Sequence, residues 1–118
     1  MPAAIARQLT KARFKMIEEN KARITEDFER EFNMKEGDVI EFFQNNQNGG
    51  KYRRLGKILF VEKCFFNGSG GWTGFVKVQA LLQGERLGNT KSIFMTVDRK
   101  STRIKNRACT DTFIIKIS

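Results

Sequence analysis

The chain has 118 residues, of which 40% are hydrophobic, and carries a net charge of +9 from 22 Lys or Arg and 13 Asp or Glu. This length predicts a single domain, residues 1–118, with a core of its own. The absence of histidine excludes the common zinc sites and catalysis by a Ser-His or Cys-His pair, so we expect no enzymatic activity, no metal and no cofactor. No apolar run has membrane-spanning length and no signal-peptide pattern follows Met1, which predicts a cytoplasmic protein without a membrane partner.

The first segment, residues 1–33, is predicted to be helical. Its apolar residues recur at intervals of three and four, and it contains no Gly or Pro after Pro2. Asn20 or Thr25 could divide it, so one long helix and two consecutive helices both remain open. We expect the apolar stripe to pack the segment onto a sheet. The stripe comprises Ile5, Leu9, Ala12, Met16, Ile17, Ile24, Phe28 and Phe32.

After Gly37 the hydrophobic period changes from about 3.6 to 2, which is typical of β-strands. Five strands are predicted, at residues 39–43, 51–66, 75–83, 93–97 and 113–117. Short loops without intervening helices favour an antiparallel meander that closes to protect its edges. The predicted fold class is therefore α+β, with the N-terminal helical segment packed on a five-stranded, partly closed barrel at residues 37–118.

The alternation of side chains along each strand predicts which residues form the core. In the long second strand, Gly56 indicates a bulge or bend, and Cys64 is expected to be a buried free thiol. One face of that strand is predicted to hold Ile58, Phe60, Cys64 and Phe66. The last strand is predicted to turn Phe113, Ile115 and Ile117 inward. The predicted core comprises Ile58, Phe60, Val76, Val78, Ile93, Met95 and Ile115.

Two short stretches resemble the opening of SH3-like barrels of the KOW or Tudor kind. They are residues 37–42 (GDVIEF) and 55–60 (LGKILF), separated by a variable loop. In such barrels a Gly-Asp turn begins the first strand, and a Gly inside the second lets that strand curl. The resemblance covers about residues 36–82 and implies an SH3-like barrel that tends to bind nucleic acid or the transcription and translation machinery. The insertion at residues 44–50 and the loop at residues 67–71 depart from the pattern.

Positive charge is concentrated in the predicted barrel. Residues 1–23 carry a net charge of +4, residues 24–41 carry −5, and residues 42–118 carry +10 from fourteen basic and four acidic residues. A positive field of this kind suits a polyanionic partner.

Nine of those fourteen basic residues lie in two short segments, and these form the predicted nucleic-acid-binding site together with two aromatic residues, Tyr52 and Trp72. Lys and Arg neutralise phosphates, and exposed aromatic rings can stack on bases. Phe43, Phe65 and Phe94 are further candidates for stacking, although core packing is an alternative for each ring. The first basic cluster is Lys51, Arg53, Arg54 and Lys57. The second basic cluster is Arg99, Lys100, Arg103, Lys105 and Arg107.

The sequence thus predicts a non-enzymatic accessory protein that contacts the phosphate backbone of DNA or RNA. The alternative is a protein-interaction module or inhibitor, by analogy with small basic factors that phages direct against host machinery. The segregation of acidic and basic segments would suit a protein partner as well as a nucleic acid. The oligomeric state is left open.

Overall fold

In the computed structural model, which describes residues 3–100 and 103–118, one α-helix precedes a closed barrel of six antiparallel strands. Each strand pairs with the next along the chain, and β1 pairs with β6 to close the barrel. The α+β class is confirmed, and the small closed barrel is compatible with the SH3-like expectation. The elements are α1 (Ala3–Phe32), β1 (Val39–Asn45), β2 (Lys51–Phe66), β3 (Gly71–Leu81), a 3-10 turn (Gln83–Glu85), β4 (Leu87–Asp98), β5 (Ile104–Asn106) and β6 (Phe113–Lys116).

The barrel agrees with the predicted five-stranded one except for one additional short strand, which lies inside the second basic cluster. β5 has only three residues, and it pairs with β4 on one side and with β6 on the other. It supplies hydrogen-bonding partners to strands that would otherwise expose their edges, so the barrel closes fully.

The helix α1 is continuous, and its C-terminal turns pack on the barrel. Its 30 residues extend about 45 Å at 1.5 Å per residue. Phe28 and Phe32 are buried, stack on each other with ring centroids 4.8 Å apart, and are joined in the core by the partly buried Ile24. Gly74 of β3 permits this contact, since a Cβ there would lie 3.1 Å from carbons of both rings. The helix ends at Asn33, which has a φ of 55°.

The described residues in the N-terminal half of the predicted apolar stripe do not pack on the sheet. Ala12 and Met16 are exposed, Met16 by 62%, and the side chains of Ile5 and Leu9 lie outside the described part of the chain. The reason is helical geometry: at about 100° per residue, Met16 lies roughly 120° around the helix from Phe28. Ile17 lies only about 20° around the helix from Phe28 and is still 49% exposed, so among the described residues of the stripe the barrel covers Ile24, Phe28 and Phe32.

Two bulges in β2 change the predicted inner face of that strand. The pairing register with β3 shifts between Ile58 and Phe60 and again between Val61 and Lys63. Each shift adds one residue to β2, so the buried positions are three apart, at Ile58, Val61 and Cys64. Phe60 is consequently 46% exposed, which corrects its predicted place in the core.

The last strand also differs from the prediction by one residue. Ile114 lies opposite Ile104 and is buried, whereas Ile115 and Ile117 are each 53% exposed. Because side chains alternate, a shift of one residue exchanges the two faces, and the adjacent isoleucines made either register plausible. The remaining predicted core is confirmed as buried, namely Ile58, Val76, Val78, Ile93 and Met95. Within residues 3–100 and 103–118, no helix combines the length and apolarity needed to span a bilayer.

Candidate nucleic-acid interface

Outward-facing residues of neighbouring strands form two adjacent rows across the barrel, which we call the outer-face rows. The first crosses β2 to β6 through residues directly opposite one another and follows the curve of the barrel. With strands about 4.8 Å apart, it extends roughly 19 Å along the sheet. It consists of Phe65, Thr73, Thr96, Lys105 and Phe113, of which Thr73 is only 5% exposed. The second consists of Lys63, Phe75 and Phe94, extended by Arg107.

The second row consists of two adjacent aromatic rings with a cation at each end. Phe75 and Phe94 stack with centroids 4.4 Å apart and planes 9° from parallel. Lys63 Nζ lies 5.9 Å from the Phe75 ring centroid, and Arg107 Cζ lies 6.0 Å from that of Phe94. The backbone N–H of Arg107 donates to the carbonyl of Phe94 at 2.9 Å, which holds the arginine beside this ring. These are cation–π distances, so the aromatic floor positions positive charge at the surface.

The cations of the outer-face rows have no carboxylate counter-charge. In the described part of the chain, no acidic oxygen lies within 4.0 Å of Lys63, Lys105 or Arg107. The nearby Glu62 instead accepts a hydrogen bond from the Ser92 hydroxyl at 2.7 Å. The positive charge of these three side chains is thus available to a partner.

Two shallow grooves meet along these rows, and both are lined by Lys105 and Arg107. One has a volume of about 350 Å³ and extends past Thr73, Phe94 and Asp98. The other has a volume of about 320 Å³ and extends past Thr110, Asp111 and Phe113. They form a continuous concave track with the two shared cations at its centre, although each groove also contains one carboxylate.

The first basic cluster is divided by the alternation of β2. Tyr52 and Arg54 lie on the inner side of the strand, since Arg54 is directly opposite the buried Phe42. Arg53 lies on the outer side, where it forms an ion pair with Glu41 at 3.3 Å. Arg53 is therefore already partly neutralised. The exposed Lys51 and Lys57 also lie on the outer side.

Lys51 connects the first cluster to the outer-face rows. Its Nζ donates to the carbonyl of Thr110 at 2.6 Å, in the turn between β5 and β6 that follows Arg107. Asn106, the last residue of β5 before this turn, is 5% exposed. Its side-chain amide donates to the carbonyl of Phe43 in β1 at 2.9 Å. The start of β2 and the second cluster are thus neighbours, as a continuous basic surface requires.

The rest of the predicted site lies at the helix end of the barrel. Arg99 Cζ is 5.4 Å from the ring centroid of Phe66, and Lys100 is exposed. Trp72 is partly buried between the Phe66 ring, 5.9 Å away, and Arg30 of α1, 5.8 Å away. It packs against the core and has little free surface for a base.

Arg103 lies beside the first row, with Cζ 5.1 Å from the ring centroid of Phe113. Lys63, Phe75 and Phe113 were not predicted as site residues. The pairing between strands is what brings Phe75 of β3 against Phe94 of β4. That information is not local to any one segment.

The chain was compared with protein-family models, with curated proteins and with solved structures, and none of them matches it. What the protein does must therefore be argued from the site itself.

The two cysteines are free and buried, as expected for Cys64. Burial, with a smaller contribution from Asp27 and Glu31, raises the pKa of the Cys64 thiol to about 12. The thiolate is the nucleophilic form of cysteine, so this residue is poorly suited to nucleophilic chemistry near neutral pH.

Proposed function

We propose that the protein is a non-enzymatic nucleic-acid-binding factor that holds single-stranded DNA or RNA along the outer-face rows. The observation that carries the proposal is the pair of stacked rings, Phe75 and Phe94, flanked by Lys63 and Arg107, which have no carboxylate within 4.0 Å among the described residues. Proteins that bind single strands combine a positive groove with aromatic side chains on which bases stack. The outer-face rows contain both cations and aromatic rings, on neighbouring strands of the barrel.

Each component has a distinct role. Lys105 and Arg107 line both grooves and contact phosphates, while Lys51 extends the positive track across the β5–β6 turn. Phe65 is 47% exposed and is the principal stacking platform. Phe75 and Phe94 are half-buried and form the apolar floor beneath their cations. Such contacts give affinity with little sequence preference.

The resemblance to KOW and Tudor barrels agrees with this function, and we extend it to a fold proposal: the barrel is of the SH3-like type. A partner from the transcription or translation machinery would then be brought to the same nucleic acid. Arg53 and Lys57 of the first cluster contribute mainly to the long-range positive electrostatic field of the barrel.

The proposal is tested by the salt dependence of binding to a fluorescent single-stranded oligonucleotide. The double variant Lys105→Gln and Arg107→Gln removes two phosphate contacts. It should flatten the slope of log affinity against log salt by about 1.4, at roughly 0.7 per contact for single strands. The matched control is Lys35→Gln with Arg86→Gln, which makes the same change of charge at two exposed positions away from the grooves.

The control should retain the parent slope. If the parent does not bind at low salt, or if the two double variants lose affinity equally, the outer-face rows are not a nucleic-acid site.

A protein partner is the second candidate, and the free part of α1 favours it. Met16 and Ile17 are 62% and 49% exposed on a helix whose Ile24, Phe28 and Phe32 pack against the barrel core. Exposed apolar side chains on an amphipathic helix are typical of a groove-binding segment. Failure of the oligonucleotide experiment, combined with an intact fold, would make this the leading function.

A further inference from the structure

The mouth of the barrel is the end where β1 ends and β2 begins. Polar side chains are attached there to the inner side of the strands. Arg54 lies opposite Phe42 in β1, and Lys91 lies opposite Val78 in β3. Because Phe42 and Val78 are fully buried, both cations are attached on the side that faces the barrel interior. Both are half-buried.

The polar contacts of Arg54 are all neutral. Its Nη1 donates to Gln44 Oε1 at 3.2 Å and lies 3.5 Å from the hydroxyl of Tyr52. Tyr52 donates to the same oxygen of Gln44 at 3.1 Å, and Arg54 Cζ is 5.8 Å from the Tyr52 ring centroid. The three side chains hold one another in place, and none of them supplies a negative charge.

Lys91 adds a second positive charge to this group. Burial lowers the pKa of its ammonium, the charge of Arg54 lowers it further, and Tyr52 acts in the opposite direction. In the residues that the structure describes, no carboxylate oxygen lies within 4.0 Å of Lys91 or Arg54. Two like charges that are partly removed from water destabilise the fold unless an anion joins them.

We propose that the mouth of the barrel is an anion-binding site for a phosphate group, formed by Arg54, Lys91 and Tyr52. The Arg54 guanidinium presents two parallel N–H donors to phosphate oxygens, and the Lys91 ammonium on β4 contributes a point charge. The Tyr52 hydroxyl donates a further hydrogen bond when it turns from Gln44 to the ligand. Gln44 then keeps Arg54 in position.

This site is separate from the outer-face rows, because its side chains are attached to the opposite side of the strands. The phosphate could belong to a free anion, to a nucleotide or to the end of a nucleic-acid strand. The recognition chemistry is the same in all three. The inference does not require the outer-face rows to bind nucleic acid.

The experiment measures the melting temperature of the whole chain in pyrophosphate against sodium chloride of equal ionic strength. Pyrophosphate should raise the parent Tm saturably, by about 5 °C at ten times the dissociation constant. Lys91→Gln should melt higher than the parent without pyrophosphate, because the repulsion is gone, and should lose the pyrophosphate shift. The control Lys77→Gln removes a half-buried lysine from the outer side of the adjacent strand and should keep the shift.

The absence of a saturable shift in the parent would overturn the proposal. So would an equal loss of the shift in Lys77→Gln, which would indicate a general effect of net charge. The source of the phosphate is resolved by comparing 5′-phosphorylated with 5′-hydroxyl oligonucleotides in the Lys105→Gln, Arg107→Gln background. A Lys91-dependent preference for the phosphorylated end assigns the site to nucleic acid. If Lys91→Gln leaves the preference for phosphorylated oligonucleotides unchanged, while the parent chain shows the pyrophosphate shift, the site is assigned to a free phosphate compound.

Discussion

The phenylalanines of the core and those of the outer surface have opposite surroundings. The core set is fully enclosed by apolar side chains and by the close backbone approach at Gly74. The outer set lies among cations, with Arg99 beside Phe66 and Lys63 beside Phe75. The core set is Phe28, Phe32 and Phe42. The most exposed outer residues are Phe60, Phe65 and Phe66, at 46–47%.

The difference shows how one residue type serves two purposes in a small domain. In the core, the rings pack secondary-structure elements together. Phe28 and Phe32 form the principal contact of α1 with the barrel. Outside, large exposed apolar side chains that lie together usually mark an interaction surface, and Phe65 lies in the first of the outer-face rows. Here the bulges of β2 turn Phe60 outward, and the accompanying cations favour an anionic partner over an apolar one.

The largest effect is expected for a ring of the core set. Phe28→Ala should lower the free energy of unfolding by about 3–5 kcal/mol, the range for truncation of a buried Phe. Urea denaturation of the variant and the parent measures it. Phe60→Ala should cost less than about 1 kcal/mol, as for a partly exposed position. Equal losses would show that the two sets do not differ in their contribution to the fold.

An intermediate effect is expected for Phe65, and it concerns affinity. Loss of one stacked base is worth about 1–3 kcal/mol, so Phe65→Ala should weaken single-strand binding by roughly 5- to 150-fold. Fluorescence anisotropy measures the change. Phe60→Ala is the matched control, because it lies on the same strand and is equally exposed but stands outside the outer-face rows. If both variants weaken binding alike, stacking is not localised at Phe65.

Much of the fold could be predicted from local pattern, and the failures have a common origin. The switch of period near Gly37 separates the helix from the strands, and alternation identifies Val76, Val78, Ile93 and Met95 as core. The bulges of β2 could not be predicted, because a single strand gives no sign of its extra residues. They become visible only in the pairing of β2 with β3.

The short strand β5 is similar, since three residues inside a basic segment carry too little pattern to be recognised. For the candidate site, the composition pointed correctly to a basic surface on the barrel, but not to its arrangement. The rows depend on the register of β2 to β6, so Phe75 and Phe113 acquire their neighbours only in three dimensions. The ion pair of Arg53 with Glu41 likewise joins two different strands.

The most direct test of the outer-face rows is a ¹H–¹⁵N NMR titration with a short single-stranded oligonucleotide at low salt. Binding along the rows predicts that the largest amide shifts occur at Thr73, Thr96 and Lys105, with smaller changes at Lys57 across β2. Shifts confined to residues 11–23 of α1, or no shifts at any oligonucleotide concentration, would contradict the central claim.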